Sequence, residues 1–252
     1  MTVDPSEARV LDTVIELVDH LLADFDVVDL LTELTERCAQ LLDVDAAGFL
    51  LGDPFGKLHL IAATTEAARE LELFQLQSDE GPCLDCYASG EPVSVADLEL
   101  AAARWPKFVP AARSGGFVSV YAVPMRAAGS ALGALGLFGT ATGELTDADR
   151  LAAQTLSRIA CVAILQERAP TPSTVVPQLR AALGNRVVVE QAKGLLRHIL
   201  DVSVEEAFAI LRSYCRAHGE HLSEFARRLM TDRLARPGLV ASITEFAQSS
   251  AR

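Results

Sequence analysis

Two groups of residues in this chain have types and spacings that can do chemistry. The first is the pair in Cys83-Leu84-Asp85-Cys86, directly after Gly81-Pro82. A C-x-x-C pair at a helix start has its thiolates favoured by the helix dipole and can be redox-active. Zinc needs four ligands, and no second C-x-x-C or suitably spaced histidine pair accompanies this one. The second group is cationic. At about 100° per residue, Arg186, Lys193 and Arg197 fall on one side of a helix, opposite an apolar stripe of Val188, Ala192, Leu195 and Ile199. Three cations in a row can follow a phosphate backbone, and Gly194 beside them leaves room for a close approach. Arg212 and Arg216, four residues apart, share a face of the next helix. A solvated amphipathic helix shows the same charged outer face, so the pattern alone leaves both readings open.

The elements that must position these residues read as two different kinds of chain. Up to about residue 168 the pattern is α+β. Asp4-Pro5-Ser6-Glu7 starts a helix along which Val10, Val14, Leu17, Val18 and Leu21 recur at helical spacing. A second helix is predicted over 27–42, with Leu30, Leu31, Leu34 and Cys38 on its apolar side. Strands are predicted at 46–51 and 57–63 around the turn Gly52-Asp53-Pro54-Phe55-Gly56, and at 117–123 and 131–138. A helix follows from Thr146 to about Gln166, Asp149 completing a start that resembles a capping box. Residues 66–116 read as a long irregular connection, either ligand-facing or carrying crossover helices.

Three prolines in residues 169–177 cannot continue that last helix and mark a linker. Beyond it, over 178–236, the chain reads as wholly helical. One helix covers 175–200, and Ser203-Val204-Glu205-Glu206 is a capping box opening a second that Gly219 ends. A third covers 222–234 before Pro237-Gly238, and residues 237–252 are left as a tail. Leu179, Leu183 and Val187 form a second apolar seam on the first of these helices, predicting a homodimeric helix pair, with packing inside the chain as the alternative.

Bulk properties narrow the function classes. The 252 residues carry a net charge of −12, which argues against nucleic-acid binding through the overall field. The charge is uneven: residues 1–168 hold 11 Lys/Arg against 26 Asp/Glu, whereas 173–234 hold 9 against 7. Such asymmetry suggests that the halves meet different partners. Five scattered cysteines, an odd number, are not the framework of a secreted disulfide scaffold. No apolar run approaches the ~18 residues of a membrane span, and the first residues lack a signal-peptide pattern, so a cytoplasmic protein is expected.

The stretch Asn185-Arg186-Val187-Val188-Val189-Glu190-Gln191-Ala192-Lys193-Gly194-Leu195-Leu196, continued through Ser203, Glu206-Ala207-Phe208, Leu211-Arg212, Leu222 and Phe225-Ala226, resembles the ANTAR family of amidase and nitrate antitermination regulators. That resemblance implies a small all-α, three-helix domain that binds RNA with paired hairpin loops and prevents a terminator from forming. The residues it assigns to RNA are Arg186, Gln191, Lys193, Gly194, Arg197, Arg212 and Arg216. Tyr214 is a possible base-stacking residue, with core packing the plainer reading. Leu76 to Asp85 and Gly90-Glu91-Pro92-Val93 look like the GAF domains that precede ANTAR domains in actinobacterial proteins. This second resemblance implies a sensor built on an antiparallel sheet flanked by helices. Its ligand and any cofactor are unspecified; His59, in a strand-like run, needs no haem to explain it. Cys86 stands where such sequences more usually carry a small non-thiol residue, which keeps a redox role open.

Taken together, these features predict a non-enzymatic, signal-responsive RNA-binding antitermination regulator, switched by an unspecified small-molecule or redox signal and requiring no membrane. The alternative is a thiol enzyme resembling free methionine sulfoxide reductases of the GAF fold, or a redox sensor, using Cys83 and Cys86. A two-component interaction module is a third reading, but Asp43 and Asp45 lack the surrounding phosphoacceptor arrangement.

Overall fold

The computed structural model describes residues 5–22, 25–127, 129–166 and 175–250, without the side chains of 5–8, 166, 175–182 and 250. The chain divides into two compact units, Met1–Arg180 and Ala181–Arg252.

The first unit is built on five antiparallel strands: β1 (Ala46–Gly52), β2 (Leu58–Ala63), β3 (Val93–Val95), β4 (Ser119–Ala127) and β5 (Ser130–Gly139), in the order β2-β1-β5-β4-β3. On one face lie α1 (Pro5–Leu22), α2 (Val27–Leu41) and α6 (Asp147–Gln166); on the other lie α3 (Glu66–Ser78), α4 (Pro82–Ser89) and α5 (Phe108–Ser114). Both faces are covered, which explains why β1 is buried at every position and reads as an apolar run rather than an alternation. Asp26 caps α2 by accepting from the N–H groups of Val28 and Asp29, and Thr65 caps α3 through Ala68 N–H.

The connection 66–116 is not irregular. It holds α3, α4, the edge strand β3, a short 3₁₀ turn (Leu98–Ala101) and α5. Leu98, Trp105, Phe108 and Val109 from this stretch are buried against Leu50, Ala134 and Phe138 of the sheet. Of the two readings of this segment, the crossover helices are present.

The second unit comprises α7 from Ala181 onward (the helix spans Val175–Leu200), α8 (Val204–His218), α9 (Leu222–Thr231) and α10 (Arg236–Ser250). The predicted capping box forms: Ser203 Oγ accepts from Glu206 N–H at 3.1 Å while Glu206 Oε2 accepts from Ser203 N–H at 2.9 Å. Gly219 ends α8 in the left-handed region at φ 64°. The predicted tail is instead a fourth helix. Pro237 stands in the first turn of α10, where its missing N–H has no partner to lose, and α10 packs on α8 and α9.

Candidate functional sites

The sheet unit buries a carboxyl group. Glu72 on α3 is fully enclosed, over a trough where Gly48 of β1 pairs with Gly136 of β5. A Cβ on Gly48 would lie 2.7 Å from Glu72 Oε1, and one on Gly136 would lie 2.6 Å from that oxygen and 2.8 Å from Cys83 Sγ. Only the absence of side chains at these two positions lets the carboxyl and the thiol reach the sheet. Gln75 Nε2 donates to Glu72 Oε2, Gln75 Oε1 accepts from Cys83 N–H at 3.1 Å, and Cys83 Sγ donates to Glu72 Oε1 at 3.6 Å. Gly81, at φ 152°, brings the backbone over the Gln75 amide, where a Cβ would lie 2.5 Å from Gln75 Oε1.

This environment runs against the thiolate expectation for Cys83 and Cys86. Pro82 and Cys83 do begin a helix, but burial and the neighbouring Glu72 carboxyl push the Cys83 thiol well above its ordinary range. Burial, with Glu91 nearby, raises Cys86 to about 12. Both are held as thiols, the protonation state least suited to nucleophilic or redox attack. Glu72 itself is raised by burial to about 8, against the lowering effect of its hydrogen bonds to Cys83 and Gln75, and so is mostly protonated at neutral pH.

The other residues singled out around this pair form a clamp. Glu80 Oε1 accepts from the N–H groups of Lys107, at 2.5 Å, and Phe108, at 2.9 Å, at the start of α5. Asp85 Oδ2 accepts from Trp105 Nε1 at 3.1 Å and pairs with Arg104 at 2.8 Å. His59 pairs with Asp53 at 3.1 Å across the β1–β2 turn, a bond that accounts for it without a cofactor. Among the described residues no cluster of three or more His, Cys, Asp or Glu side chains is arranged to hold a metal ion.

In the helical unit the buried side of α7 is carried by Asn185, Val189, Ala192 and Leu196. The predicted stripe of Val188, Ala192, Leu195 and Ile199 is therefore rotated: the true centre lies roughly 70° round from Val188. Ile199 is largely exposed, edging a groove of about 640 Å³ shared with Val202 and Ile210 of α8's side and Phe246 of α10. The rotation changes what the cations do. Arg186 and Lys193 stand on the shoulder of the core rather than opposite it, and both pair with Glu190, at 3.5 and 3.1 Å. Lys193 Nζ lies 4.8 Å from the ring centre of Phe208 on α8. That contact brings the shoulder of α7 beside the flank of α8 that carries Arg212, which is half-buried with its Nη2 enclosed, while Arg197 is exposed near the C-terminal end of α7.

Gln191 and Gly194 do not share this shoulder. They lie on the outer face of α7 with Leu183 and Val187, about 130–170° from the buried centre; Val187 and Gln191 are exposed, and nothing lies within 4 Å of where a Gly194 Cβ would be. Leu183 is half-buried, and the Leu179 side chain lies outside the described residues. Arg216 is exposed on α8. Tyr214 is core, stacked on His218 and flanked by Phe225 and Phe246.

One contact had no warning in the motifs. Arg227 Nη2 of α9 donates to Asn185 Oδ1 of α7 at 2.5 Å, beside Arg186. The only signal for it was an exposed arginine pair, Arg227-Arg228, on a short helix.

Against known proteins, a family model described as the GAF domain matches residues 26–165, and one described as the ANTAR domain matches residues 177–230. Among solved structures, the GAF domain of a phosphoenolpyruvate-protein phosphotransferase from Coxiella burnetii superposes with a TM-score of 0.53 at 17% identity, over 64% of this chain and 96% of that one. The corresponding Acinetobacter domain gives 0.48 at 15% identity, over 64% and 96%. Free methionine-R-sulfoxide reductase from Neisseria meningitidis, solved with its substrate, gives 0.49 at 17% identity, over 72% and 96%. No curated protein matches this chain.

Proposed function

This chain belongs to the GAF domain family and carries an ANTAR domain behind it, and from that premise we propose that it is a signal-responsive, RNA-binding antitermination regulator. Its RNA would be an element of two adjacent hairpins, and the working form would be a homodimer in the cytoplasm. None of the described helices is long and apolar enough to cross a membrane.

The observation that carries the reading is the Lys193–Phe208 contact, because it sets the cation-bearing side of α7 beside α8, on which Arg212 is half-buried and Arg216 exposed. Unpaired loop bases expose edges and faces to such a surface. Gly194 adds support. A glycine inside a helix costs about 1 kcal/mol relative to alanine, and no packing within the described chain offsets it there. An outside backbone or base approaching α7 would do so. The signal is proposed to act on the sheet unit without enzymatic turnover, since the Cys83 and Cys86 thiols are held protonated.

The test is binding of the full chain to an RNA carrying two adjacent small hairpins, across a salt series. Tight, salt-sensitive binding that Arg197→Ala weakens is the expected result. Binding that is absent, or equal for a single-stranded RNA of the same composition, would overturn the reading.

A further inference from the structure

The register of the sheet sorts the residues of β4 between its two faces. Val120 and Ala122 pack with Cys83 and Trp105, on the side of the Glu72 trough. Tyr121 stands between them and so points to the opposite face, beside its cross-strand partners Ser94 of β3 and Leu137 of β5. There it lines a cavity of about 120 Å³, bounded also by Asp43 and Asp45 before β1, by residues 141–146 and by Asp149 of α6.

Two independent features mark this cavity as a binding site. The first is Tyr121 itself, which is only 6% exposed. Its hydroxyl makes no hydrogen bond among the described residues, yet neighbouring atoms do not seal it off. A buried phenol ordinarily finds a partner, and this one opens into the cavity instead. The second feature is charge. Asp43, Asp45, Glu144 and Asp149 bring four carboxylates to the lining, and no Lys, Arg or His side chain joins them. Neighbours satisfy these groups only in part. Thr140 donates to Asp45 Oδ2 from its N–H at 2.6 Å and its hydroxyl at 2.8 Å. Thr146 donates to Asp149 Oδ2 at 2.7 Å, and Arg150 donates to Glu144 Oε2 at 2.5 Å. Asp45 Oδ1, Glu144 Oε1 and both oxygens of Asp43 accept no bond among the described residues.

We propose that the cavity binds a small organic cation, an alkylammonium or short diamine, whose N–H groups donate to the Tyr121 hydroxyl and the surrounding carboxylates. Size sets the upper limit. At ~30 Å³ for each water-sized volume the cavity holds about four of them, which suits a ligand of roughly four to six heavy atoms. Charge sets the class, because four carboxylates repel an anion. A calcium-like ion needs six or more oxygens at about 2.3–2.6 Å, and among the described residues no three acidic side chains converge to hold a metal. An ammonium group reaches more widely spaced acceptors through hydrogen bonds of about 2.7–2.9 Å. Its alkyl chain can rest on Leu137 and the ring of Tyr121. The acidic excess of residues 1–168 also concentrates cations around this unit.

The test is calorimetric titration of the full chain with butylammonium and with diaminobutane, beside thermal unfolding of the free protein. One ligand per chain is expected, with a dissociation constant on the order of 0.1 mM, which so few heavy atoms allow. Tyr121→Phe removes one hydrogen-bonding group and should weaken binding about fivefold. Its melting temperature should stay level or rise, because the lost hydroxyl has no partner among the described residues. Asp43→Asn should weaken binding by a similar factor, and together with Glu144→Gln by more than about tenfold. Glu70→Gln removes a carboxylate from α3, on the other face of the sheet, and should change nothing. Butanol, acetate and calcium should each bind at least about tenfold more weakly than butylammonium. No binding at ~10 mM ligand would leave a cavity for water alone and overturn the proposal. So would undiminished binding by Tyr121→Phe, a fall in its melting temperature, equal weakening by Glu70→Gln, or any of the three control solutes binding as tightly as butylammonium. Because no RNA enters these measurements, their failure and a failure of RNA binding are separate results.

Discussion

In the sheet unit, several of the residues that a motif reading selects are tied into their own domain; in the helical unit, several of them stay outside. Asp79 ends α3 in the left-handed region, Glu80 caps α5, Gly81 clears the Gln75 amide, Cys83 meets Glu72, and Asp85 holds Trp105. Each of these is explained by a bond within the domain. Gln191, Gly194, Arg197 and Arg216 have surface positions, and the glycine has open space where its side chain would be. The first signature thus specifies how one domain closes its own core. The second, where it is not core, describes a surface presented to something else.

The sharpest way to break this contrast is at Glu72. Its folded-state value of about 8 lies above the ordinary 4.5, so the folded chain binds a proton that the unfolded chain releases in between. Stability from this group is complete in acid, declines from about pH 4.5 through about pH 8, and levels off above. The total change is on the order of 5 kcal/mol at 1.36 kcal/mol per pH unit. Glu72→Gln keeps a neutral side chain of the same shape and should abolish that decline. Urea denaturation from pH 5 to 8.5, followed by Trp105 fluorescence, should show the variant gaining on the wild type as pH rises. Parallel curves would mean that Glu72 is ionised and the trough is solvated.

A smaller effect is expected at the floor of the trough. Gly136→Ala puts a methyl group against Glu72 Oε1 and Cys83 Sγ, neither of which has free space to retreat into. Overpacking of this kind costs about 1–3 kcal/mol, and this site belongs at the upper end. The measurement is again the denaturation midpoint of the sheet unit. A loss below half a kilocalorie would show that α3 can lift from the sheet, and that the inward-facing signature is looser than described.

How much of this was legible beforehand differs between the halves for physical reasons. The four long strands and the helices at 175–200 and 204–218 follow from periodicity and caps, which are local. The trough was not legible, because Glu-Leu-Glu in α3 reads as a solvated helix and a lone strand glycine has many causes. Only the pairing of Gly48 with Gly136 across the sheet gives them meaning. On α7, Val187-Val188-Val189 and Leu195-Leu196 are apolar on successive positions, so spacing alone cannot fix which side is buried. The choice is made by α8 and α9, and it moved Arg186 and Lys193 from the outer face to the shoulder. Pro237-Gly238 reads as a stop, yet proline suits the first turn of a helix, and α10 begins there.

That rotation yields a graded prediction for the cations. Arg197 is exposed, whereas Lys193 is engaged with Glu190 and Phe208. Arg197→Ala should lower the slope of log K against log salt by roughly 0.7–0.9, the value of one phosphate contact, with the fold's stability unchanged. Lys193→Ala should cost affinity through lost packing as well, and shift the midpoint of the helical unit by about 0.5–1 kcal/mol. Equal changes in slope with no loss of stability in either variant would put both cations on the same free surface, and the rotated core would be wrong in its consequence.

The last test makes the same substitution that harms the sheet unit and predicts the opposite sign. Gly194→Ala adds a methyl group in open space inside a 26-residue helix. Alanine is favoured over glycine there by about 0.8–1 kcal/mol, so thermal or urea unfolding of the helical unit should move upward by that amount. If the position is bare because a partner's backbone or base comes close, the stabilised variant should bind the two-hairpin RNA more weakly than the wild type, despite its firmer helix. A gain in stability with full RNA affinity would remove Gly194 from the recognition surface and leave the exposed cations to carry it. A loss of stability would mean that something within the chain already occupies the space, and the helical unit would then resemble the sheet unit in turning its signature inward.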